Sequence, residues 1–110
     1  MENKPHIMVF CSNKIKKSEI EEILWGIEEE GLPYFLKFVP DVEVKKKNYT
    51  QGILEVGIGI NSNKEVMLNS KKYDKEYILK YSLDQSDEKL RALGNNSARL
   101  VKGLALKLSS

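Results

Sequence analysis

Short apolar runs rich in β-branched and aromatic residues alternate with stretches of helical period along this chain, and that alternation narrows the fold most. Residues 6–12 (HIMVFCS) are a continuous apolar run and read as a buried strand. Ser18 followed by Glu21 is a capping-box pattern, predicting a helix from about Glu19 to Glu30 that closes at Gly31 with Pro33 beyond. Residues 34–39 (YFLKFV) form a second strand ended by Pro40. The polar segment 41–52 reads as either a short helix or an irregular crossover, with Lys45, Lys46 and Lys47 on a solvated face.

Residues 53–60 (ILEVGIGI) and 65–69 (EVMLN) are two strands joined by the turn signal NSNK. Residues 76–83 (EYILKYSL) make the last strand. Ser86 then caps a final helix running to about Lys102, with Asp87 and Glu88 at its positive end. The resulting order, β-α-β-(α)-β-β-β-α, predicts an α/β three-layer sandwich. Its mixed, mostly parallel five-stranded sheet carries one antiparallel hairpin strand.

Length and charge bound the function. The 110 residues predict a single domain over 1–110, enough chain to bury roughly two-thirds of its unfolded surface without a disulfide or structural metal. With 18 basic against 16 acidic residues, the surplus gives no electrostatic reason to expect nucleic acid or a membrane surface as partner. One cysteine, Cys11, and one histidine, His6, exclude an internal disulfide and a Cys- or His-rich metal site. Neither a membrane span nor a signal peptide is visible, so the expected location is the cytoplasm.

The first helix ends in the run Glu28, Glu29, Glu30 just before Gly31. A helix C-terminus is already partly negative, so each acid there is misplaced by about 0.3–1 kcal/mol. At about 100° per residue, Ile20, Ile23, Leu24 and Ile27 share the stripe that must face the sheet. Glu29 then points away from it, Trp25 lies on the same outer side, and Gly26 sits close by. An outward Trp beside a carboxylate and a helix glycine reads either as ordinary solvated surface or as a surface approached by another chain. On the final helix, Leu90, Leu93, Gly94, Ser97, Val101 and Leu104 form the inner stripe, and Gly57 and Gly59 offer it a thin sheet face to pack on. Arg91, Asn95, Arg99 and Lys102 are expected to point outward, most simply into solvent.

Catalytic chemistry is sparse. No nucleophile–base pair accompanies the carboxylates, and neither GIGINSNK nor GNNSARLVKG has the spacing of a nucleotide loop. Cys11 is the one candidate, since it falls at the C-terminal end of a parallel strand, where open α/β sheets place ligands. A phosphocarrier or phosphatase built on it would need a phosphate-cradling loop. The loop that follows, SNKIKKSE, has neither glycine nor arginine, and a buried strand cysteine is the simpler reading.

Three stretches, GIEEEGLPY (26–34), LEVGIGIN (54–61) and LGNNSARLVKGL (93–104), together resemble the small subunit of the diol/glycerol dehydratase reactivating factor. In order and spacing the likeness covers nearly the whole chain. The tail LALKL departs from the more Pro/aromatic tail of that family. The resemblance implies a fold like that of the dehydratase medium subunit, related to anticodon-binding domains. It implies a non-catalytic, chaperone-like subunit that pairs with a large subunit bearing an actin-type ATPase domain, where ATP and ADP bind. Damaged cobalamin would be released from an inactivated diol or glycerol dehydratase by exchange of subunits.

In that family a glutamate of the EEE run ligates a divalent metal, Mg²⁺ or Ca²⁺, at the contact with the large subunit, and by position it is Glu29 here. The interface residues expected on this chain are Trp25, Gly26, Glu29 and Arg99, the glycine and tryptophan from helical geometry alone. The dehydratase medium subunit, which shares the fold, is the alternative; its longer N-terminal part makes a chain of 110 residues fit the reactivase better. Association with a bacterial microcompartment stays open at this point.

Overall fold

The computed structural model describes residues 6–46, 56–70 and 79–102. Strand β1 (Ile7–Ser12) is almost wholly buried, as a strand covered on both faces must be. It pairs in parallel with β2 (Tyr34–Val39) on one side and β3 (Val56–Ile60) on the other. Strand β4 (Glu65–Ser70) pairs antiparallel with β3, and β5 (Leu79–Ser82) antiparallel with β4. The sheet order is β2-β1-β3-β4-β5, so β4 alone runs against the rest, as the sequence pattern predicts.

The period-two alternation of the strands divides the core in two. Ile7, Val9 and Cys11 on β1 share a face with Val56, Ile58 and Ile60 on β3 and with Val66 and Leu68 on β4. Helices α1 (Glu21–Glu29) and α3 (Asp87–Lys102) both cover that face, contributing Ile23, Leu24, Ile27, Leu90, Leu93 and Ala98. The opposite face is covered in part by α2 (Asp41–Lys46), whose Val44 packs with Phe10 and Val39. Three layers result. Each large aliphatic side chain taken fully from water contributes about 1.5–3 kcal/mol, so the inward stripe of α1 accounts for its place on the sheet.

Local chemistry explains most element ends. The Ser86 hydroxyl accepts the Lys89 N–H at 3.3 Å and so caps α3. The first helix starts differently from the capping-box expectation. A 3₁₀ turn at Lys17–Glu19 precedes it, and the Glu19 carboxylate accepts the Lys16 N–H at 2.8 Å. Gly31 ends α1 with φ +83°, a left-handed backbone that glycine adopts without strain.

In the β3–β4 hairpin Lys64 takes a left-handed φ of 64°. Asn61 stabilises that turn from a buried position, its Oδ1 accepting the N–H groups of Asn63 and Glu65 at 3.0 and 3.1 Å. Asp41 fastens α2 to the hairpin by accepting the Ser62 N–H at 2.6 Å, and that bond holds its carboxyl below the usual range.

The role expected of Gly57 and Gly59 is corrected. They stand in register with Met8 and Phe10, on the face opposite α3, because Val56, Ile58 and Ile60 occupy the alternate positions. Leu104 of the expected inner stripe and residues 76–78 of the last strand lie outside the described residues.

Candidate interaction site on the paired helices

Helices α1 and α3 touch backbone to backbone, and two glycines permit it. A Cβ on Gly26 would stand 2.2 Å from the Arg91 carbonyl oxygen and 3.0 Å from the Gly94 Cα. One on Gly94 would stand 2.0 Å from the Ile23 carbonyl oxygen. This corrects the expectation for Gly26: it is buried, and the chain that approaches it closely is its own α3. Asn95, expected to face outward, is buried at the same crossing. Its Nδ2 donates to the Gly26 carbonyl at 2.7 Å and to Glu29 Oε1 at 3.1 Å, while Ser97 Oγ donates to the Gly94 carbonyl at 2.8 Å.

The helices run the same way, since Glu22 meets Arg91 at one end and Glu30 meets Arg99 and Lys102 at the other. Their partly negative C-termini therefore lie side by side, and the basic side chains of α3 offset both. Arg99 Nε donates to Glu30 Oε2 at 3.2 Å, and Lys102 Nζ donates to the Glu30 carbonyl, capping the end of α1. The Arg99 expected at an interface is thus engaged within the chain. The acidic run at the end of α1, a misplacement on one isolated helix, is matched by the neighbouring helix.

Arg91 is the hub of the outer end. Its Nε and Nη2 clasp one oxygen of Glu22 at 2.9 and 2.8 Å, its Nη1 reaches Glu29 Oε2 at 2.8 Å, and its guanidinium lies 5.4 Å from the Trp25 ring centroid. Desolvation opposes its charge, but the hydrogen bond and charge of Glu22, then those of Glu29, prevail and raise its pKa further. Around it Trp25 is 43% exposed and the Glu29 side chain 49% exposed. The surface is therefore an outward tryptophan and an outward carboxylate held in fixed geometry by Arg91 and Asn95.

Among the described residues no cluster of three or more His, Cys, Asp or Glu side chains could hold a metal. Glu29 is a single half-exposed carboxylate whose two oxygens are held by Arg91 and Asn95. The sequence alone does not mark Arg91, Asn95 and Glu22 as parts of this site. The signal was present in the matching outward faces of the two helices, acidic on α1 and basic on α3, but only their pairing in space makes it readable.

Cys11 takes the simpler of its two readings, a buried strand cysteine. It is fully buried in the core, and burial, with the Glu19 charge adding, pushes its thiol up to about 12. Such a thiol is neither accessible nor ionised near neutrality. No helix among the described residues is long and apolar enough to cross a membrane.

Known proteins extend this geometry. Residues 4–107 match the family model described as dehydratase medium subunit. A curated relative, the propanediol dehydratase-reactivating factor small subunit of Citrobacter freundii, is 33% identical over 89 residues, which are 78% of this chain and 77% of that protein. Among solved structures, a glycerol dehydratase reactivase superposes with a TM-score of 0.79 at 25% identity, covering 94% of this chain and 97% of that one. A diol dehydratase-reactivating factor complexed with ADP and Mg²⁺ superposes with a TM-score of 0.82 at 27% identity, covering 96% and 99%. These matches bear out the resemblance carried by the three sequence stretches. Two of those stretches, GIEEEGLPY and LGNNSARLVKGL, contain the two sides of the α1–α3 contact.

Proposed function

Since this chain belongs to the dehydratase medium-subunit family, we propose that it is the non-catalytic small subunit of a factor that reactivates diol or glycerol dehydratase. The observation that carries the reading is the outward patch of Trp25 and Glu29, held in place by Arg91 and Asn95. In this role the chain works in the cytoplasm by docking. It pairs with a large ATPase subunit, and by exchanging places with dehydratase subunits it lets damaged cobalamin leave. ATP and ADP bind the large subunit and time that exchange.

Glu29 contributes one carboxylate oxygen to a Mg²⁺ or Ca²⁺ shared with the large subunit, and the ion supplies a charge-neutralising bridge between the two chains. Asn95 fixes the carboxylate from behind, as outer ligands orient metal-binding groups elsewhere. Trp25 lies beside it as an apolar anchor of the kind that dominates interfaces.

Association of the purified small and large subunits, measured with and without EDTA, tests the reading. Glu29→Ala is expected to weaken association at least tenfold in Mg²⁺ and to make it indifferent to EDTA, while the thermal unfolding of the small subunit stays near that of wild type. Equal binding by both proteins under both conditions would rule out the metal role.

The family description itself favours one other reading, a medium-subunit-like part of the dehydratase. That reading expects stable binding to the catalytic subunit of the dehydratase and none to a reactivase large subunit.

A further inference from the structure

Arg91 and a metal ion at Glu29 compete for the same carboxylate. Both Glu29 oxygens are engaged, Oε2 by Arg91 at 2.8 Å and Oε1 by Asn95 at 3.1 Å. The Asn95 amide is neutral and can stay in place beside a cation on the other oxygen. The guanidinium cannot, because it carries the same sign of charge and already holds Oε2.

Arg91 nevertheless has somewhere to remain. Its Nε and Nη2 hold Glu22, and its plane covers Trp25, so giving up Glu29 leaves its two other contacts intact. Glu22 and Glu29 lie seven residues apart on one face of α1 and share this single guanidinium.

We propose that Arg91 is a built-in surrogate cation: in the separate subunit it neutralises Glu29, and on docking it swings wholly onto Glu22 and yields that carboxylate to the divalent ion. Arg91 is then a positioning residue that sets how much metal is needed before the subunits join. It also explains how a half-exposed carboxylate at a helix C-terminus is tolerated while the partner is absent. This inference rests on the reading of Glu29 as a shared metal ligand.

The test is the Mg²⁺ concentration at half-maximal association of the full-length small subunit with the large subunit, read by biolayer interferometry. Arg91→Gln is expected to lower that midpoint about two- to fivefold, the factor that losing an exposed ion pair implies. Glu22→Gln is expected to raise it by a similar factor, because Arg91 is then held by Glu29 alone.

A loss of fold would shift both variants in the same direction, so opposite shifts are diagnostic. Thermal unfolding checks that both remain folded, and Arg91→Lys, which keeps the charge without the fork, is expected to fall between wild type and Arg91→Gln. An unchanged or raised midpoint in Arg91→Gln overturns the surrogate role while leaving Glu29 as ligand. A Glu29→Gln variant that keeps the full Mg²⁺ dependence overturns both.

Discussion

At Cys11 a single residue shows how burial decides chemistry. Its position at the end of β1 is one where ligands gather in open α/β sheets, yet Ile60 of β3 and Phe38 of β2 stand beside it in register and the α1 layer covers it. Removing the thiol from water disfavours the thiolate, hence the rise from 9.0 to about 12. Alkylation by iodoacetamide at pH 7.5 is therefore expected to be slow in the folded protein, and to reach the rate of a free thiol only in denaturant. Rapid labelling of the native chain would contradict the burial. The pH dependence has a definite sign. The folded state holds this proton more tightly than the unfolded state does, so the contribution to stability is complete below about pH 9 and is lost as pH rises from 9 towards 12.

Between elements, the crossing of α1 and α3 is the contact on which the candidate site depends. Glycine inside a helix costs about 1 kcal/mol relative to alanine, so either Gly26→Ala or Gly94→Ala would strengthen its helix in isolation. In the protein the added methyl meets backbone atoms that no rotamer change can move. Each substitution is expected to destabilise by about 1–3 kcal/mol, measured by urea unfolding, and to displace Asn95 and Arg91 from Glu29. Periodicity separates the inward and outward residues of α1 and places Trp25 and Glu29 outside. For α3 it gives the wrong surroundings to Asn95, because that side chain faces a neighbouring helix and not solvent. A helical wheel contains no information about what stands beside the helix. Only the 69-residue separation between Gly26 and Asn95, closed by folding, brings those groups to hydrogen-bond distance.

For the molecule as a whole, the sheet is what holds the two helices parallel and adjacent. Ile58 sits at its centre, between Val9 and Leu68, with no exposure to solvent. Ile58→Ala is expected to cost about 2–5 kcal/mol in chemical denaturation, a large share of the roughly 5–15 kcal/mol that holds a domain of this size together. A loss under 1 kcal/mol would mean that the sheet is not the organising layer. The succession of strands and helices, the single antiparallel strand, the Ser86 cap and the exposed Trp25 and Glu29 all follow from apolar spacing and turn residues, which act over a few positions along the chain. Tertiary structure decided which helix answers the acidic end of α1, which face Gly57 and Gly59 occupy, and that Gly26 is spent on an internal contact. Those outcomes depend on distances between segments remote in sequence. Local periodicity tells each helix which side to bury, and only packing on a common sheet tells it which charges it will meet.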